Sequence, residues 1–204
     1  RNVTGVQTCA LPISFQSTLT DFKYLRKIWK QNTEEERLLG VSLTGIMDNK
    51  LMTNRSHIQT GAHLRELRQT AVSTNEEFAK RLSIPQSTAI TCVKPSGTVS
   101  QLVDSASGIH PRYSEYYIRR VRGDIKDPLT RFLMDQGVPY EPDVTNPETI
   151  MVFDFPQQSP KGAKTEINAI EHLELWLLYQ DNWCEHKPSI TVSVAEDEWM
   201  EVGA

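Results

Sequence analysis

The chain has 204 residues, 38% hydrophobic and 24% charged, with a net charge of −4. This length supports a buried core in one domain or two small ones, and a pI near 5.8 leaves no basic footprint for nucleic acid. No apolar run approaches the roughly 20 residues of a membrane-crossing helix, and Cys9, Cys92 and Cys184 show no Cys-x-x-Cys or Cys/His metal spacing. Those spacings argue against a disulfide scaffold or a zinc module and fit a reducing cytoplasm.

In chain order, residues 3–13 lack the basic flank and apolar length of a signal peptide. They read like a translated sequencing adapter, so residues 1–14 are set aside as a non-native leader and the folded part is expected over 15–204. Over residues 17–31, Leu19, Phe22, Leu25, Ile28 and Trp29 recur at helical spacing. Residues 41–47 read as a short strand or buried turn. A long helix is expected over about 56–82, with Ser73-Thr74-Asn75 as a place where it could split. Residues 89–93 form an apolar run typical of a buried strand. Beyond the segment 94–111, a strand is expected over 116–121. A helix opened by Asp127 as N-cap and Pro128 at the first position, and stopped at Gly137, follows it. A strand over 149–155 is expected to end at Pro156. An amphipathic helix over 166–181, a strand over 189–194 and a final helix after Glu196 complete the chain. Strand and helix alternate without repeats, which predicts α/β architecture.

The richest stretch is Lys94-Pro95-Ser96-Gly97-Thr98-Val99-Ser100, directly after the apolar run. A buried strand that opens through a tight loop into a helix N-terminus presents free amides. Gly97 lets the backbone approach a guest closely, Ser96, Thr98 and Ser100 offer hydroxyls, and Lys94 adds a positive charge. A phosphate is the natural guest. The same spacing also fits an ordinary strand-to-helix turn capped by Ser or Thr, and the Gly-x-x-x-x-Gly-Lys spacing of a Walker loop is absent. Because a helix N-terminus supplies only about half a positive charge, Lys94 or one of Arg112, Arg119, Arg120 and Arg122 would be needed beside a polyphosphate. Strand alternation puts Arg119 and Arg120 on opposite faces. The alternative is that these arginines pair with neighbouring acids. His110 is close enough in sequence to contact a substrate, although lone histidines more often serve packing or hydrogen bonding. Cys92 reads as a small buried hydrophobe.

Together with its continuation Gln101-Leu102-Val103-Asp104-Ser105-Ala106-Ser107-Gly108-Ile109-His110-Pro111-Arg112-Tyr113, the loop resembles adenosylcobalamin-dependent (class II) ribonucleoside-triphosphate reductases. These carry Pro-Ser-Gly-Thr followed by Ser-x-Gly-Ile-His-Pro. The likeness extends through Tyr117-Ile118-Arg119-Arg120-Val121-Arg122, Met151-Val152-Phe153-Asp154-Phe155-Pro156 and Asn182-Trp183-Cys184-Glu185-His186-Lys187-Pro188-Ser189, covering residues 15 to 204. The resemblance implies that Pro95, Ser96, Gly97, Thr98, Val99 and Ser100 hold the substrate's phosphates, with Lys94 and His110 as further contacts. It implies the second half of the family's ten-stranded α/β barrel, a ribonucleoside triphosphate substrate, adenosylcobalamin as cofactor of the intact enzyme and a thioredoxin-like reductant.

The family reduces ribonucleotides by a thiyl-radical route that needs an Asn-Pro-Cys-x-Glu-type segment and a C-terminal cysteine pair, and this sequence contains neither. No catalytic residue is therefore assigned, and Cys184 is read as structural. The expectation is a C-terminal-half fragment, inactive by itself. A reductase of another class or with diphosphate specificity, and a non-catalytic nucleotide-binding module, are the alternatives.

Overall fold

The computed structural model describes residues 15–20 and 22–204; the leader assigned to residues 1–14 lies outside them. The chain divides into two compact units, one made of residues 1–112 and 162–204 and the other of 113–161.

The first unit is built around short parallel strands. β1 (Val41–Ser42) pairs with β2 (Thr91–Cys92) in parallel, with Val41 opposite Thr91. Backbone bonds lengthen this ladder on both sides: Leu39 N–H donates to Ala89 O at 3.0 Å and Leu43 N–H to Cys92 O at 3.3 Å. On the other edge of β2, Glu185 N–H donates to Thr91 O and Ser189 N–H to Val93 O, both at 3.0 Å. The expected strand over 189–194 stops there, because the next donor, Thr191 N–H, goes to the imidazole of His110 at 2.9 Å instead of a neighbouring strand.

Ahead of β1 lies α1 (Lys27–Glu36), which starts ten residues later than its apolar spacing predicts and buries none of its residues. α2 (Thr60–Leu82) runs unbroken through the weak point expected at residues 73–75. Ser73 donates back to Gln69 O at 2.7 Å, while Asn75 turns inward, donating to Ser87 Oγ at 3.1 Å and accepting from Ser87 N–H at 3.0 Å. The polar side chains thus bond to partners off the helix or within it, and the ladder is not interrupted. α2 packs on α5 (Ala169–Asn182), approaching closely at Gly61, where a Cβ would lie 3.2 Å from Asn182 Oδ1. Leu64 of α2 joins Leu175, Leu178, Tyr179 and Trp183 in a core that also takes in Ile46, Val93 and Ile109. The last helix is shorter than its start suggests: a 3₁₀ turn over Glu196–Glu198 leads into α6 (Trp199–Gly203).

The second unit is an antiparallel sheet in the order β3 (Tyr116–Asp124), β5 (Ile150–Gln158), β4 (Tyr140–Pro142), with α4 (Pro128–Asp135) in the β3–β4 connection. Asp127 caps α4 as its sequence predicts, accepting from Leu129 N–H at 2.9 Å. β5 continues past Pro156, which sits opposite Ile118. β4 reaches only as far as the partner of Phe153, so β5 has one neighbour at Pro156 and a missing N–H on the open side breaks no ladder bond. Arg120 pairs with Asp154 and Glu141, and Arg122 with Asp143 at 2.8 Å. The Arg122 guanidinium, with the N–H groups of Thr145 and Asn146, holds the Asp143 carboxyl below its ordinary range.

Candidate functional site

Three loops of the first unit meet beyond the carboxyl ends of β1 and β2: residues 44–48, 94–100 and 104–112. Each is fastened to the other two by side-chain hydrogen bonds.

The turn 94–100 has an inner and an outer half. Ser96 faces inward. Its hydroxyl lies 2.7 Å from Thr44 Oγ1 and accepts from Gly108 N–H at 3.1 Å, and its own N–H donates to Ser107 Oγ at 3.3 Å. Ser100 is fully buried and its hydroxyl donates to Ser96 O. These two hydroxyls are engaged within the protein. Gly97, Thr98 and Val99 form the outer half and are exposed. A Cβ placed on Gly97 would meet nothing within 4 Å, and the backbone there is not left-handed. Among the described residues, neither packing nor strain explains the glycine. The helix that follows, α3 (Val99–Leu102), is a single turn, and Thr98 at its N-cap makes no side-chain capping bond. Among the described residues, the N–H groups of Thr98 and Val99 donate to no acceptor outside that turn. Lys94 and Pro95 are exposed at the turn's entry.

The loop 104–112 is braced from behind. Arg112, its side chain only 4% exposed, makes a two-pronged contact with Asp48 (3.1 and 2.9 Å) and reaches Asp104 at 2.8 Å. Asp48 also accepts from Ala106 N–H at 2.7 Å. Gly108 adopts φ +53° and lies where a Cβ would come within 3.1 Å of Lys94 O. Both its backbone region and its neighbour demand glycine. Of the four arginines considered for a polyphosphate, Arg112, Arg120 and Arg122 are held by carboxylates.

His110 is bonded on both ring nitrogens. Thr191 N–H donates to Nε2, which assigns the ring proton to Nδ1, 3.0 Å from Ser107 O. The ring therefore ties the loop to residue 191. His172 on α5 lies against it edge-on, ring centroids 6.2 Å apart, and its Nε2 donates to Ile109 O at 2.9 Å. Burial pushes the His172 imidazole below its ordinary range, outweighing the bond to Ile109.

Cys92 and Cys184 are buried free thiols. Burial raises the Cys92 thiol, and burial together with the nearby Cys92 pushes Cys184 up to about 12. Neither is a thiolate at neutral pH, so neither suits nucleophilic or exchange chemistry. Among the described residues no cluster of His, Cys, Asp or Glu is placed to hold a metal, and no helix is long and apolar enough to cross a membrane. Three hollows of about 600, 240 and 400 Å³ lie elsewhere in the first unit: an acid-lined groove at Glu166, Glu171 and Asp197, its neighbour at His172 and Thr191, and one between Arg65, Arg68 and Glu185. None of them is lined by residues 94–100.

Sequence reasoning reached the turn and Arg112 but not Thr44, Asp48 or Ser107 as its supports. Their partners are distant in sequence, 52 residues from Thr44 to Ser96 and 64 from Asp48 to Arg112, and no local period records such pairs.

No family model matches the chain. It is 29% identical over 207 residues to an adenosylcobalamin-dependent ribonucleoside-triphosphate reductase of Lactobacillus gasseri, an alignment covering 87% of this chain and 27% of that protein. To the protein of the same name from Euglena gracilis it is 27% identical, over 95% of this chain and 29% of the relative. A probable reductase of this kind from Dictyostelium discoideum is 38% identical over 121 residues, covering 58% of this chain and 16% of the relative. A crystal structure of a B12-dependent (class II) ribonucleotide reductase superposes with a TM-score of 0.78 at 23% identity, over 97% of this chain and 31% of that one. The chain thus spans less than a third of the length of these proteins. It resembles adenosylcobalamin-dependent ribonucleoside-triphosphate reductases along about nine-tenths of its own length and shares the α/β fold of the class II structure.

Proposed function

We propose that this chain is part of an adenosylcobalamin-dependent ribonucleoside-triphosphate reductase, and that residues 95–100 dock the phosphates of its ribonucleotide substrate. The observation that carries the reading is the outer half of the turn. Gly97 is exposed, with no described residue within 4 Å of where its Cβ would be, and it precedes the N–H groups of Thr98 and Val99, which donate to no described acceptor outside the turn. Backbone N–H groups converging on open space are an anion-binding arrangement. The turn contributes these amides, the Thr98 hydroxyl and the charge of Lys94; Ser96 and Ser100 act inside the protein. On the same reading, the short parallel strands belong to the second half of a ten-stranded α/β barrel.

The reaction of the whole enzyme is reduction of a ribonucleoside triphosphate to its 2′-deoxy form by a thiyl radical, with a thioredoxin-like protein restoring the thiols. No residue of this sequence is assigned to the radical step; Cys92 and Cys184 are buried in the core. The cofactor is adenosylcobalamin, by the names of the relatives. Of the two histidines beside the turn, neither has a ring nitrogen open to it: His110 has both engaged, and His172 is 2% exposed with its Nε2 proton on Ile109 O. Buried free thiols support a reducing compartment such as the cytoplasm.

The test is Gly97→Val, with binding of inorganic tripolyphosphate followed by calorimetry. A valine has room in the unliganded protein but would stand where the anion approaches. Affinity is expected to fall at least about tenfold, a loss of one or two hydrogen bonds to a charged group, with the unfolding midpoint unchanged. Equal binding by wild type and variant would remove the turn from the substrate site.

A further inference from the structure

We infer that Thr44 is the positioning residue of the phosphate-docking turn, acting on Ser96 from a separate loop; the inference rests on the phosphate reading above. Thr44 Oγ1 has one proton and two lone pairs, and all three are used. It donates to Ala106 O at 3.0 Å, it accepts from Gly108 N–H at 3.0 Å, and Ser96 Oγ is 2.7 Å away. With the Thr44 proton on Ala106 O, the contact to Ser96 is made by the Ser96 hydroxyl donating. Ser96 in turn accepts from the same Gly108 N–H, at 3.1 Å. Thr44 therefore makes the shortest of the contacts that set the rotamer of Ser96, Ser107 Oγ lying farther off at 3.4 Å, and ties the loop 104–112 to the same point.

The network is uncharged, and this matters for an anion site. Thr44, Ser96 and Ser107 hold the back of the turn without placing a carboxylate behind it, so the N–H dipoles in front are not cancelled. Asp48 and Asp104 are the acids of the neighbouring loops, and both are held by Arg112. An amide-based site gains affinity from being preorganised, because donors already aimed at the ligand need no reordering on binding. Loss of the Thr44 hydroxyl leaves the Ser96 hydroxyl only its longer bonds to Gly108 and Ser107, so that it can turn to compete for the outer amides.

Inorganic tripolyphosphate binding to the 204-residue chain, measured by calorimetry alongside thermal unfolding, tests this with Thr44→Val, Thr44→Ser and Gly97→Val. Thr44→Val keeps the shape and removes the hydroxyl. It is expected to weaken binding about tenfold, roughly the value of one well-placed bond, with Thr44→Ser restoring affinity to within about twofold. Amide resonances of Ser96, Gly97 and Thr98 should shift in Thr44→Val while those of α5 do not. Wild-type affinity in Thr44→Val beside a loss in Gly97→Val overturns the inference and leaves the docking reading standing. A Thr44→Ser variant as weak as Thr44→Val overturns it too, since the hydroxyl would not be the cause. No loss in Gly97→Val, or no binding by wild type at millimolar concentration, overturns both. Should Thr44→Val not fold, Thr44→Ala removes the same hydroxyl with less side-chain bulk and is expected to weaken binding about tenfold as well. Wild-type affinity in Thr44→Ala overturns the inference.

Discussion

One carboxylate, Glu185, accepts from the N–H groups of Ile90 at 2.6 Å and Thr91 at 2.9 Å, and from Arg68 at 3.4 Å. It thereby satisfies the strand edge just ahead of the turn at 94–100. Burial pushes this carboxyl up, but the two backbone donors and Arg68 outweigh burial and leave it below its ordinary range. Glu185→Gln keeps one acceptor and loses the charge. It is expected to destabilise the protein by about 1–2 kcal/mol at neutral pH, as hydrogen bonds to a charged group are worth, in chemical denaturation. The sequence alone read Cys184 as structural and gave no part to the glutamate beside it. The structure turns Cys184 into the core and makes the glutamate beside it the working group. Nothing in the local spelling distinguishes a carboxylate that caps a strand 94 residues away from one that faces water.

Among the elements, those with local causes are the ones the sequence specifies. Asp127 followed by Pro128 is a complete helix start, and α4 begins there with the Asp127 carboxylate on Leu129 N–H. Asp127→Ala is expected to cost about 1 kcal/mol, a typical N-cap loss, seen as a lower unfolding midpoint of the second unit. α2 was also legible from its apolar period, but its continuity was not, because Asn75 finds Ser87 only after the chain has turned back. Two readings failed for a common reason. The apolar residues of 17–31 predicted a packed helix, yet Leu19, Leu25, Ile28 and Trp29 are 46–56% exposed. The strand over 189–194 ended at its first bond because an imidazole took the next donor. In both cases the deciding partner, or its absence, lies elsewhere in the structure.

For the molecule as a whole, the α/β class followed from alternation, while the division into an antiparallel unit at 113–161 and a parallel remainder did not. The chain passes between the units at residues 112–113 and 161–162 without a composition shift to mark it. Two groups of the first unit, His172 and Glu185, contribute to its acid stability. The folded-state pKa of His172 lies below the ordinary 6.5, so just below that pH the unfolded chain binds a proton the native protein refuses, and stability falls as pH drops. Glu185, held below 4.5, adds a second loss on the acid side of that value. Denaturation midpoints between pH 8 and 3 should show both declines, with His172→Gln removing the upper one and Glu185→Gln the lower.

Arg112 remains. Its guanidinium is sealed from water while Lys94 stands in it, so the two cations respond differently to ionic strength. Added salt shields a lysine within a Debye length of about 10 Å at 0.1 M, but hardly reaches a buried ion pair. The brace behind the turn therefore keeps its strength in concentrated electrolyte, and the pull that Lys94 exerts on any anion is the part that fades.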